Sequence, residues 1–157
     1  MSEFTGTGEF RFLKGEELKE NGFDVGIQTT ARLGFDIGKK GGERLWIEKG
    51  EISNLASSPR LLWWIVSPFE HWIALPSLLH DALYRRQEHS KIICDCLFYE
   101  AMITMLIASK QVRKKWKARI AFDAVWYLAN PAWENCQQKK LMDNKDFDLP
   151  YPILAKR

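Results

Sequence analysis

The stretch Pro76–Met102 reads PSLLHDALYRRQEHSKIICDCLFYEAM, and its spacing predicts a helical hairpin. Pro76 suits the first turn of a helix, where its missing N–H costs nothing. Leu78, Leu79, Ala82 and Leu83 follow as an apolar stripe. The polar run Gln87–Ser90 makes the turn. Ile92, Ile93, Cys96, Leu97, Tyr99 and the residues to Ile107 continue as a second helix, apolar nearly all round and so expected to be central.

Four polar residues interrupt this apolar hairpin. His80 and Asp81 are adjacent, and Tyr84 lies four residues after His80, on the same helix face. Asp95 sits among Ile92, Ile93, Leu97 and Phe98, and an acid in such surroundings needs solvent or a buried partner. A His held by a carboxylate is a general base that activates water, the carboxylate fixing the tautomer and stabilising the imidazolium. Asp81 points about a quarter turn away, where it can bind a hard cation such as calcium. The same residues also fit a buried polar network that fixes helix packing. An even antiparallel hairpin centred between His89 and Ser90 places Asp95 opposite Tyr84 and His80 opposite Tyr99. The expected contact is therefore Tyr84–Asp95, and a His80–Asp95 pair requires a stagger of roughly 5 Å, one helical turn.

Before the hairpin the pattern changes. Glu9–Leu13 alternates, Phe23–Thr30 and Ala31–Ile37 are rich in β-branched and aromatic residues, Gly38–Gly42 is a turn, and Leu45–Glu48 is a short strand. After it, a third helix is predicted over about Val112–Ala129, ending at Asn130-Pro131. The fold class is α+β: a small β-rich half (1–60), forming a small antiparallel sheet, packed on a helical half (61–142) of three to four helices. An extended tail follows (143–157), all in one domain of 157 residues.

Composition narrows the classes further. A net charge of +3 is too small to imply nucleic acid, although Lys110, Arg113, Lys114, Lys115, Lys117 and Arg119 fall within ten residues. Such a run is a solvated helix face or a contact for an anionic partner. Three Cys without framework spacing read as reduced thiols, most of them buried. The opening MSEFTGTGEF has no signal-peptide pattern, and the apolar Leu61–Leu79 is broken by Pro68, Glu70, His71 and Pro76, so no transmembrane span is expected. Seven Trp in so short a chain point to a core plus an interface, with Trp63, Trp64 and Trp72 as candidate anchors. The motifs GxSxG, Walker A, HExxH and GxGxxG after a strand are absent.

Four segments in order carry a family resemblance. Gly50–Pro59 (GEISNLASSP) is similar to the signature G-x-x-T-D-L-A-S-x-P; LLHDALY (78–84), CDCLFYEAM (94–102) and AVWYLANPAW (124–133) follow. Together they resemble the domain-of-unknown-function family numbered 1353, small proteins of tailed phages and prophages encoded near virion or lysis genes. The resemblance implies a phage protein made in the host bacterial cytoplasm, with incorporation into the virion as one outcome. Its partners would be other phage proteins or the bacterial envelope. It adds the loop with Asn54 and Ser57 as neighbours of the hairpin, with Asn54 as a metal ligand beside Asp81 and Ser57 as a binding residue next to Trp63 and Trp64 of the Trp-rich segment. The signature Asp is Asn54 here, which coordinates through its carbonyl oxygen but brings no charge. HDxxY followed by DxxF is also similar to the catalytic pattern of secreted phospholipase A(2) enzymes, in which the His activates water, the next Asp binds calcium and a later Asp orients the His. Those positions are His80, Asp81 and Asp95, but the Cys framework and Gly-rich calcium loop of that family are missing. Two functions follow as expectations: a small hydrolase with His80, Asp95 and Tyr84 at its centre, acting on an envelope lipid or peptide, or a non-enzymatic virion or accessory protein.

Overall fold

Short alternating runs between glycine turns make short strands, and six form among the described residues of the first 53: Glu3–Thr5 (β1), Phe10–Phe12 (β2), Ile27–Thr29 (β3), Leu33–Asp36 (β4), Arg44–Ile47 (β5) and Ile52–Ser53 (β6). The structure is a computed structural model, which describes residues 1–6, 8–22, 25–54, 64–67 and 70–143. The strands form two antiparallel three-stranded sheets, β1-β4-β5 and β2-β3-β6, where the sequence suggests one. β1 and β6 escape the sequence reading because each has only two or three residues and pairs far along the chain, Thr5 with Gly34 and Ser53 with Ile27. A one-turn helix, Glu16–Glu20 (α1), links β2 to β3.

From His71 the described residues are mainly helical: His71–Arg86 (α2), Lys91–Ala108 (α3), a tight turn Val112–Lys114, Lys115–Leu128 (α4) and Asn130–Asp143 (α5). The expected α+β architecture is therefore present. Two helix ends differ from expectation. α2 begins five residues before Pro76, so the proline is internal and has no N–H for the Trp72 carbonyl. Asn130-Pro131 does not simply stop a helix; Pro131 is the second residue of α5, where an N–H has no intrahelical acceptor. The tail beyond residue 143, like Ser57 and Trp63, lies outside the described residues.

α3 packs against both α2 and α4, as its apolar circumference predicts. Phe35, Ile27 and Ile47 from the sheets join Leu78, Leu79 and Leu83 of α2, Phe98, Met102 and Leu106 of α3, and Val125 of α4 in one buried cluster. Trp72 belongs to this core too: it is 1% exposed and its indole N–H donates to Glu70. It is thus not a surface anchor, because the earlier start of α2 turns it inward. The hairpin is tied to the sheets at one end, where Arg86 donates to the Trp46 carbonyl and both Arg85 and Arg86 pair with Glu51.

Asp36 is the buried acid of the β4–β5 hairpin. Arg44, its cross-strand partner, and the Gly41 N–H both donate to it. Those hydrogen bonds, Arg44 first, hold its carboxyl at about 2, below the ordinary 3.8. A folded value below the unfolded one stabilises the fold above the unfolded pKa, and that contribution disappears as pH falls through the folded one. The urea midpoint of the protein is therefore expected to drop between about pH 4 and pH 2. In Asp36→Asn that part of the acid dependence should be missing; an unchanged acid profile would show that the pairing does not matter.

Candidate functional site

Two caps set the hairpin. Gln87 takes the left-handed conformation (φ 53°) that ends α2, and the Ser90 hydroxyl accepts the Ile93 N–H at the start of α3. This brings the middle of α2 against the first turns of α3. His80 and Tyr84, one turn apart, stack with ring centroids 4.1 Å from each other. Phe98 of α3 also meets the imidazole, its ring tilted at 4.8 Å, and Trp133 of α5 meets the Tyr84 ring edge-on at 5.0 Å.

Asp95 receives three side chains. His80 Nε2 is 2.9 Å from Oδ1, the Tyr84 hydroxyl donates to the same oxygen at 2.6 Å, and the Lys91 ammonium donates to Oδ2 at 2.7 Å. One carboxylate oxygen therefore serves both residues of the α2 face, and the register permits both contacts at once. Lys91 also donates to the carbonyls of Val125 and Trp126, each at 3.1 Å, in the last turn of α4, where a cation meets the negative end of the helix dipole. Burial of Asp95 opposes its charge, but the hydrogen bonds from His80, Lys91 and Tyr84 prevail and hold its carboxyl below the ordinary range. Burial, then the hydrogen bond to Asp95, pushes the Tyr84 phenol up, so it stays a neutral donor.

With Asp95 ionised, His80 Nε2–H is the donor of the pair, which leaves Nδ1 as the atom with the lone pair in the neutral ring. Nδ1 is buried and accepts no hydrogen bond among the described residues, and the Asp81 carboxylate lies 4.0 Å from it. A buried polar atom without a partner is uncommon. His80 is 1% exposed and Asp95 fully buried, whereas Asp81 is half-buried.

The other expected residues are placed as follows. Asn54, half-buried, follows β6, the strand packed against α2. Trp64 is 82% exposed. A calcium ion takes six to eight oxygens, and no group of three or more His, Cys, Asp or Glu that could hold a metal exists among the described residues. No chemical step is routed through a metal. Cys94 is buried, but Cys96 is exposed and Cys136 half-buried, so only one thiol is in the core. Burial, then the neighbouring Asp95 charge, pushes the Cys94 thiol up to about 12, which makes it inert.

Lys91, Phe98 and Trp133 are part of the site and were not anticipated. Lys91 had a signal: it lies four residues before Asp95, the spacing of a helical ion pair. Trp133 had one too, since it closes the last of the four resembling segments.

Comparison with curated proteins and with solved structures finds no match. Among the described residues, no helix is long and apolar enough to cross a membrane. A family model described as "Protein of unknown function (DUF1353)" matches residues 33–125, from the start of β4 to Val125, and so takes in His80, Tyr84, Lys91 and Asp95. That match spans more than half of the chain, and the chain belongs to the DUF1353 family.

Proposed function

We propose that the chain is a small hydrolase of a phage or prophage, with His80 as general base, acting on an ester or amide bond of an envelope lipid or peptide. One observation supports the reading: Asp95 holds His80 through Nε2, and the other ring nitrogen accepts no hydrogen bond among the described residues, with the Asp81 carboxylate 4.0 Å away. In this chemistry Nδ1 takes a proton from water as the oxygen attacks the carbonyl carbon. The Asp95 charge stabilises the imidazolium, and the proton then passes to the leaving group as its bond breaks. Tyr84 and Lys91 act on Asp95, fixing the carboxylate that fixes the ring. The test is hydrolysis of labelled phospholipid and of peptidoglycan by wild type and His80→Ala, each with calcium and with chelator. Turnover lost in a folded variant supports the base; a wild type inactive on every envelope substrate removes the proposal.

A second reading has its own support. Lys91 extends the network to α4 and the whole set is nearly sealed, as expected of polar residues that specify helix packing in a non-enzymatic virion or accessory protein. Its virion version requires the protein in purified particles, which mass spectrometry of virions decides.

A further inference from the structure

We infer that the outward face of Val112–Tyr127 docks on an anionic phospholipid bilayer. α4 fills its inner face with small residues: Ala118, Ala121, Ala124 and Val125 are all buried. Its outer face is not polar. Val112, in the turn before α4, and Trp116 and Tyr127 on α4 are 45%, 56% and 72% exposed, with Ile120, half-buried against the core, between the two aromatic residues. They run roughly 22 Å along the surface.

The charge beside this stripe has one sign. Residues 110–119 hold six Lys and Arg and no acid, although the whole chain carries only +3, so the rest of the chain is net acidic. Lys114 and Lys117 are engaged by Glu70 at the start of α2, and Arg119 pairs with Asp123, the one acid facing the stripe on α4. Lys110, Arg113 and Lys115 are exposed and make no side-chain ion pair or hydrogen bond among the described residues.

Cations alone would serve a nucleic acid equally well, so the apolar residues decide. A polyanion in water would leave Val112 and most of the Trp116 and Tyr127 rings hydrated. A bilayer takes both: phosphates meet the cations while Trp and Tyr rest at headgroup depth, their preferred level. Anionic lipids add attraction for every Lys or Arg near the surface. This docking is independent of the proposed hydrolysis, since no residue of the His80 network is on the face.

The test is flotation of the full chain with phosphatidylcholine vesicles, with and without phosphatidylglycerol. Binding is expected to be about tenfold or more tighter with the anionic lipid and to weaken strongly in high salt. The triple variant Lys110→Glu, Arg113→Glu, Lys115→Glu should lose at least about tenfold, and Trp116→Ala about fivefold, both with an unchanged circular-dichroism spectrum. His80→Ala should bind as wild type even if it hydrolyses nothing, which separates this inference from the catalytic one. Absent or salt-insensitive vesicle binding by wild type, equal binding to both vesicles, or release from vesicles by competing DNA overturns it.

Discussion

Asp95→Ala is expected to lower the stability of the fold by about 3 kcal/mol, the low end for breaking a buried ion pair from one side. The carboxylate is fully buried and ends three hydrogen bonds, so its removal leaves the His80 Nε2–H and the Tyr84 hydroxyl without an acceptor. Lys91 keeps the carbonyls of Val125 and Trp126 but loses its counter-charge. Its side chain is 16% exposed and can turn partly to water, which is why the low end applies. For a chain of this length the loss corresponds to a fall of about 10 °C in Tm. Lys91→Met is the control. If the cost of Asp95→Ala is mainly an orphaned charge, the double variant is more stable than the sum of the single effects implies. Denaturant unfolding of the four proteins measures this. An Asp95→Ala within about 0.5 kcal/mol of wild type, the range of ordinary surface changes, would show that the network does not hold the hairpin.

The same residues show why the hairpin was legible in the sequence and its full site was not. His80 and Tyr84 at helical spacing, a polar turn and an acid in an apolar run are local signals. Local signals fix which face of α2 meets α3, but a rigid register argument assigns one partner to Asp95. The structure assigns two, because His80 and Tyr84 stack and both reach Oδ1. Lys91 was readable as a neighbour of Asp95, but its link to α4 depends on how α3 and α4 pack, bringing together residues 34 apart in the chain. Trp133 reaches Tyr84 only because α5 starts at Asn130-Pro131 and comes back against α2, and the dipeptide alone reads equally as an end. In the β half, the glycine turns located β4 and β5, while β1 and β6 exist through pairing at a distance and have no pattern of their own.

His80→Ala is expected to reduce kcat by about 10²- to 10⁴-fold on the substrate that wild type hydrolyses, the usual contribution of a positioned general base. The structural cost should be smaller than that of Asp95→Ala, because Asp95 keeps Lys91 and Tyr84 as partners when the imidazole is gone. Asp95→Asn preserves volume but removes the charge that an imidazolium needs, so its kcat should fall with that of His80→Ala. Tyr84→Phe retains the ring against His80 and Trp133 and deletes one donor to Oδ1, so its loss should be about tenfold. The order of effects separates the two readings. A base held by an acid makes His80 the most damaging position for kcat and Asp95 the most damaging for stability. A packing network makes both quantities follow stability, with Asp95 worst in each. Measuring kcat and the denaturation midpoint on the same four proteins tests this directly, and activity losses that merely parallel lost fold would assign His80 to packing.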